Sequence, residues 1–97
     1  GDAIEEDLHL LCQKAGELGI KGVRCFFFQD GRDVKVENGF REMARLTGGA
    51  YFRLRPDSAK ELAELLGAVA VYAKGGLKAL SGCNRREARL LLDQMTK

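Results

Sequence analysis

The sequence predicts an α/β fold in which helices alternate with parallel strands, a partial form of the doubly wound (Rossmann-like) architecture. The segment from Phe40 to Phe52 passes from a helix through Gly48-Gly49 directly into a strand, and such tight returns are typical of α/β sheets. A second segment, Val23–Phe28, is apolar on both of its alternating faces, which is typical of a strand covered by helices. The predicted order of elements is α-β-α-β-α-α.

The first helix is predicted over Ile4–Leu18. Asp2 stands where a capping residue would start it, and Gly19 is placed to end it in a left-handed conformation. Apolar residues three and four apart define the face expected to be buried. These residues are Ile4, Leu8, Leu11, Ala15 and Leu18.

The first strand is predicted over Val23–Phe28. Val23, Cys25 and Phe27 point to one face of it, and Phe26 and Phe28 to the other. Because both faces are apolar, we expect the strand to lie inside a sheet.

The remaining elements follow from capping and breaking residues. A second helix is predicted from about Val34 to Leu46, and a second strand over Ala50–Leu54. Asp57 or Ser58 is expected to cap a third helix that Gly75-Gly76 interrupts. Asn84, with Glu87 three residues later, predicts the start of a terminal helix.

Two strands do not make a stable parallel sheet, so we expect a further strand beside Val23–Phe28. An open apolar edge invites pairing with another chain. We therefore predict a homodimer through the free edge of this strand, with a four-stranded sheet across a two-fold axis. The predicted contact residues are Val23, Arg24, Cys25, Phe26, Phe27 and Phe28.

Several of these segments together resemble a known family. Gly1-Asp2-Ala3, Gly22-Val23-Arg24 before the first strand, and Met43–Phe52 with its Thr47-Gly48-Gly49 step are similar to the C-terminal half of bacterial von Willebrand factor A (vWA) domains. The resemblance covers about residues 1–73. It implies that residues 1–80 form half of a six-stranded, mostly parallel vWA-like domain, with residues 81–97 as an additional helix packed on it.

The resemblance also implies a metal in the full-length domain. Many members of the family bind a divalent cation such as Mg²⁺, and the match places Asp2 at one of the ligand positions. The Asp-x-Ser-x-Ser loop and the Thr that complete the site in the family have no counterpart in this sequence. Mg²⁺ requires near-octahedral oxygen coordination, so this chain by itself is expected to hold no cofactor.

Composition limits the other possible functions. The chain has 97 residues, with 16 basic and 14 acidic side chains, and this balance gives no case for nucleic acid or an anionic membrane as a partner. Three cysteines without a CxxC spacing argue against disulfides and zinc, and favour a cytoplasmic location. One histidine, His9, leaves no basis for a Ser-His-acid or Cys-His set, so we expect no enzyme.

The leading hypothesis is a protein–protein binding module of the vWA-like type. The alternative is a self-contained dimeric α/β assembly subunit that uses no metal. A third, weaker hypothesis is an enzyme with its site near Asp2 and Asp30, because α/β folds place ligands at the carboxyl ends of their strands.

Overall fold

The structure is a computed structural model that describes residues 3–96. Its elements are α1 (Ala3–Ile20), β1 (Phe26–Asp30), α2 (Val34–Thr47), β2 (Ala50–Leu54), α3 (Ala59–Ser81) and α4 (Arg86–Met95). The two strands are parallel neighbours in one sheet, so the predicted α/β class and element order are confirmed. The chain divides into two compact units, one ending at Arg53 and the other beginning at Leu54.

In the first unit α1 packs on α2 through a close approach at two glycines. The Sγ of Cys12 lies 3.8 Å from the Gly39 carbonyl oxygen, and a methyl group built on Gly39 would lie 2.8 Å from Cδ2 of Leu8. Gly19 likewise leaves no room for a side chain beside the backbone of Leu46. Small residues on both helices therefore allow the backbones to come together.

The face of α1 that packs against α2 differs from the face predicted from its apolar stripe. Leu11 and Leu18 were expected inside but are exposed, whereas Ala15 is buried and Cys12 half-buried. Leu8, Cys12 and Gly19 contact α2, and the buried Ala15 lies at the same helical spacing. The prediction was wrong because it weighted leucine above the small residues that allow close approach.

The start of β1 was also predicted too early. Val23 still donates its N–H to the Leu18 carbonyl oxygen at 2.9 Å, so the turn that ends α1 extends to this residue. The left-handed residue in this turn is Gly22, with φ of 81°, and not Gly19 as predicted. The N–H of Cys25 is bound by Thr47 Oγ1 at 3.1 Å, and the strand begins only at Phe26.

The hydrogen bonds between α2 and β2 explain why Thr47-Gly48-Gly49 is a strong sequence signal for a helix that passes directly into a strand. Gly48 has a left-handed φ of 70° and ends the helix, and Gly49 donates its N–H to the Ala44 carbonyl oxygen at 2.9 Å. The Thr47 hydroxyl lies 3.0 Å from the Met43 carbonyl oxygen while it accepts the Cys25 N–H. The motif satisfies the end of the helix and fastens it to the start of β1.

At the other end of α2, Asp33 is the N-cap, and its Oδ1 accepts the N–H groups of Lys35 (2.9 Å) and Val36 (3.2 Å). Replacing it by alanine leaves these donors without their side-chain acceptor. We expect Asp33→Ala to lower the free energy of unfolding by about 1 kcal/mol, measured by urea denaturation. Asp33→Asn keeps an acceptor oxygen, so its free energy of unfolding should fall clearly less. Equal decreases in the two variants would contradict the capping role.

In the second unit α3 and α4 pack together. The predicted interruption of α3 is confirmed, because Gly76 has non-helical dihedrals of 71° and −166°. The buried residues of the unit are Leu65, Ala68, Leu80, Ala88, Leu91 and Met95. Leu66, next to the buried Leu65 on α3, is exposed. The N-cap of α4 is Arg85 rather than the predicted Asn84, and its side chain makes no capping hydrogen bond.

Candidate functional site

The most unusual surface of the first unit is the side of β1 that faces away from β2, here called the open edge. The described residues 3–96 contain a two-stranded sheet, so β1 has a neighbouring strand on one side only. The N–H of Ala50 binds the carbonyl oxygen of Cys25 at 3.3 Å, which sets the register of the pair. Since backbone groups alternate between the two sides of a strand, those of Phe28 and Asp30 point to the open edge.

The two faces of the sheet have different surroundings. Phe27 faces α2 and stacks on Phe40, with ring centroids 5.1 Å apart. On the opposite face Phe28 stacks on Phe52 at 5.9 Å, and both rings are half-buried. A strand that added to the open edge would therefore meet an aromatic surface as well as backbone donors and acceptors.

The six residues predicted to form the contact do not all lie in the strand. Phe26, Phe27 and Phe28 belong to β1, whereas Val23, Arg24 and Cys25 precede it. Val23 is 44% exposed, and Arg24 donates from Nη1 to the Gly48 carbonyl oxygen at 2.7 Å. The bond from Arg24 to Gly48 joins two of the three segments on which the family resemblance is based.

Sequence reasoning missed the second half of β1, which consists of Gln29 and Asp30. Gln29 is buried, and its side chain accepts a hydrogen bond from the Tyr51 hydroxyl at 2.5 Å and donates to the Asp33 carbonyl oxygen at 3.1 Å. Asp30 is exposed at the end of the strand. The strand was predicted to end at Phe28, and the local sequence holds no signal that Gln29 would find hydrogen-bond partners on β2 and at the N-cap of α2.

A polar cluster continues from Gln29 across the carboxyl end of the sheet. The guanidinium of Arg41 lies 4.5 Å from the centroid of the Tyr51 ring and also binds Glu37 through Nε at 2.8 Å. Arg53 forms a second ion pair with Glu37. Together these contacts tie β2 to the first turns of α2, and each group in the cluster serves the fold.

The hydrogen bond from Arg41, helped by the charge of Arg53, holds the pKa of Glu37 below its usual range. A carboxylate of this kind stabilises the fold above its unfolded-state pKa and loses that contribution as the pH falls through the lower folded-state value. We therefore expect wild type to unfold at a higher temperature than Glu37→Gln at neutral pH, with the difference shrinking as the pH falls below the ordinary glutamate pKa of about 4.3.

Thermal unfolding followed by circular dichroism between about pH 3 and pH 7 measures this difference. Repeating the comparison in an Arg41→Gln background provides the control, because the group that lowers the pKa is then missing. In the Arg41→Gln background, the difference in unfolding temperature caused by Glu37→Gln should be smaller at neutral pH. A difference in unfolding temperature that is the same at every pH would show that Glu37 acts through packing alone.

Among the described residues, the acidic side chains near the ends of the strands do not assemble into a metal site. Asp33 is engaged as the helix cap, Asp30 is exposed, and His9 is exposed on α1. Asp2, to which the resemblance assigns a metal, lies outside the described residues. Within residues 3–96, no three His, Cys, Asp or Glu side chains lie together as a metal ion requires, so this part of the chain does not fit the divalent cation of the family.

The cysteines have structural surroundings. All three are free thiols and half-buried. Burial raises the pKa of the Cys12 thiol, and the nearby charge of Glu42 raises it further. The thiolate of Cys12 is therefore disfavoured, and the side chain acts as a small packing residue between α1 and α2.

The second unit has a shallow cleft of about 370 Å³ beside the first turns of α3 and α4. Three basic side chains line it, those of Arg55, Lys60 and Arg86, together with four acidic ones. Because these charges nearly balance, the cleft has no electrostatic preference for an anion or a cation. The open edge of β1 therefore remains the strongest candidate site.

None of the helices in the described part of the chain is both long enough and apolar enough to cross a bilayer. Comparisons with protein-family models, with curated proteins and with solved structures found no match to this chain.

Proposed function

We propose that this chain is a protein-binding module that accepts an added β-strand along the open edge of β1. The observation that carries the proposal is the combination of an edge strand with an uncharged segment, Cys25–Gln29, and a half-buried aromatic face. Strand addition uses the backbone groups of such an edge for affinity and the side-chain surface beside it for specificity.

The outer edge of β2 is a weaker candidate for the same role. Its strand carries an exposed arginine, Arg53, which is already paired with Glu37. Charged side chains are a common device for protecting an edge strand from unwanted pairing, and β1 has none between Cys25 and Gln29. The difference between the two edges favours β1.

We also propose that the α/β core is of the vWA-like type. The alternation of helices with a parallel strand pair supports this, as does the contact of Arg24 with Gly48, which links two of the three segments of the resemblance. The proposal is for binding without a metal, since the described residues offer no set of ligands for one. Binding rather than catalysis is also supported by the engagement of Asp33 and the exposure of His9.

Selection from a random peptide library displayed on phage tests the proposal. We expect the protein to enrich extended peptides with alternating apolar residues, with Kd values in the range of about 1–100 µM. NMR titration of one such peptide should shift the amide resonances of Phe28 and Asp30 most strongly. Shifts confined to helices, or no enriched peptide, would overturn the proposal.

Two variants at one position separate the backbone from the side chain. Phe28→Ala and Phe28→Pro both remove the ring, but only proline also removes the N–H on the open edge, a position where edge strands tolerate it. Peptide binding should therefore be about tenfold weaker for Phe28→Pro than for Phe28→Ala. Equal binding by the two variants would show that the strand does not pair at this edge.

A further inference from the structure

We infer that α1 carries a second contact surface, and that its occupant is α1 of a second copy of this chain, antiparallel to the first. Asp7, Leu10, Leu11 and Lys14 define this surface, here called the α1 face. The two-fold axis passes between Leu10 and Leu11, so each Leu10 lies opposite the partner's Leu11. This contact is separate from the open edge of β1, and strand addition at that edge does not depend on it.

The α1 face is apolar at its centre and open to solvent. Its four residues have the i, i+3, i+4, i+7 spacing that places side chains on one side of a helix. Leu10 is 54% exposed and Leu11 48%. Leu18, which is 38% exposed, extends the apolar surface two turns further along the helix. Neighbouring exposed leucines with charged residues around them mark a site of interaction.

The α1 face is distinct from the side of α1 that packs on α2. Cys12 and Gly19 lie against α2, at Gly39 and at the backbone of Leu46. At 3.6 residues per turn, the centre of the α1 face lies about a third of a turn round the helix from these contacts. A partner on the α1 face would therefore leave the packing of α1 on α2 undisturbed.

The charges on the α1 face favour the antiparallel orientation. Asp7 precedes the leucine pair by three residues, and Lys14 follows it by three. With the axis at the centre of the pair, Asp7 lies opposite the partner's Lys14 at both ends of the contact. Opposite charges across a helix pair fix its orientation. Parallel helices would instead place aspartate opposite aspartate and lysine opposite lysine, which is unfavourable.

Both charged side chains are available for this contact. Asp7 and Lys14 are exposed. Neither side chain takes part in a hydrogen bond or an ion pair with a side chain of residues 6–96. Pairing with a second copy would therefore break no contact that these side chains make in this part of the chain.

Other antiparallel registers lose the complementarity. An axis two residues further along α1 would place Leu11 opposite the partner's Lys14 and Leu18 opposite the partner's Asp7, so each charge would lie against an apolar side chain. An axis at Lys14 itself would bring the two ammonium groups together. Of these registers, only the axis at the centre of the leucine pair matches leucine with leucine and aspartate with lysine.

The small size of the α1 face predicts a weak dimer. α1 has 18 residues and is about 27 Å long, and the apolar part of its α1 face is confined to a few leucines. Such a contact buries less area than the roughly 1,600 Å² of a standard protein interface, and small interfaces are typical of transient association. We therefore expect the wild-type dimer to have a Kd of about 100 µM.

Charge reversal tests the contact. Asp7→Lys and Lys14→Asp each place like charges opposite one another at both ends of the homodimer, and the double variant restores opposite charges in reversed order. Sedimentation equilibrium at about 10 µM–1 mM protein in about 50 mM salt measures the association. We expect each single variant to dimerise about tenfold more weakly than wild type, and the double variant to recover the wild-type affinity within about threefold.

Two further variants on α1 complete the test. Glu6→Lys changes the net charge as Asp7→Lys does, at an exposed residue about 100° round the helix, and should dimerise like wild type. A variant with both Leu10→Ala and Leu11→Ala lacks the apolar centre and should dimerise at least about tenfold more weakly. Because both leucines are exposed, circular dichroism should show that this variant is folded.

The outcomes separate this inference from the proposed function. A wild type that is monomeric at about 1 mM would overturn the second copy as the occupant of the α1 face and leave strand addition untouched. Single variants that dimerise like wild type, or a double variant that does not recover, would overturn the antiparallel contact. Phe28→Pro should dimerise like wild type. Loss of the dimer in that variant would place the contact at the open edge of β1 and overturn the α1 face.

Discussion

The variant Gly49→Ala is expected to be strongly destabilised, because the added methyl group would keep β1 and β2 apart. A methyl group built on Gly49 would lie 2.7 Å from the carbonyl carbon of Cys25 and closer still to its oxygen. The obstruction is backbone, which cannot move aside as the end of a flexible side chain would. The same carbonyl accepts the Ala50 N–H that sets the strand register, so relief of the clash would break that bond.

Overpacking of a well-packed interior usually costs about 1–3 kcal/mol, and a clash between two backbone segments belongs at or above the top of that range. A chain of this size has a total stability of about 5–15 kcal/mol. We therefore expect Gly49→Ala to lower the free energy of unfolding by about 3 kcal/mol or more, as measured by urea denaturation followed by circular dichroism.

Gly16→Ala is the matched control for this substitution. Gly16 lies within α1, and a methyl group added there would meet no atom within 4 Å. Alanine is preferred over glycine inside a helix by about 0.5–1 kcal/mol, so this variant should be slightly more stable than wild type. If the two substitutions changed stability by the same amount, the close approach at Gly49 would not be what joins the strands.

The parts of the fold that could be predicted from sequence are those with strong local signals. α2 and β2 were found almost to the residue, since the Thr47-Gly48-Gly49 step marks the boundary between them and its hydrogen bonds are all local. The break in α3 was found for the same reason, as two adjacent glycines weaken a helix wherever they occur.

The parts that were missed depend on contacts between distant segments. The buried face of α1 is set by the close approach of Gly39, twenty-seven positions after Cys12, and no periodicity within α1 reports it. The first residue of β1 is set by Thr47, whose hydroxyl binds the Cys25 N–H. The cluster around Gln29 and Tyr51 joins three elements, so each of its members looks ordinary in the local sequence.

The candidate site also has a part that local sequence signals predict and a part that they miss. The three phenylalanines that form its centre were predicted, because a run of aromatic residues is visible in the sequence itself. Asp30, whose backbone groups point to the open edge, lies beyond the end of the predicted strand. The strand is shifted toward its carboxyl end relative to the prediction, so β1 includes Asp30 and begins after Arg24.

In the second unit the largest loss is expected from Leu91→Ala. Leu91 has no solvent exposure and Leu80 is 1% exposed, and these two are the largest fully buried side chains among the described residues. Truncation of a buried leucine removes its transfer free energy and leaves a cavity, which together cost about 2–5 kcal/mol. The cavity would open where α4 packs against α3, and these two helices supply the buried core of this unit.

Leu90 provides the control on the same helix, since it is the preceding residue and is 37% exposed. Leu90→Ala removes the same atoms from a place that water already reaches, so it should cost less than about 1 kcal/mol. Because helix propensity changes equally in the two variants, the difference between them isolates burial. Urea denaturation measures both losses, and amide hydrogen exchange in α3 and α4 should speed up for Leu91→Ala alone. If the two substitutions lowered the free energy of unfolding equally, the contact of α4 with α3 would not stabilise the unit. A helix of ten residues has too little intrinsic stability to form without such a contact, so we expect unequal losses.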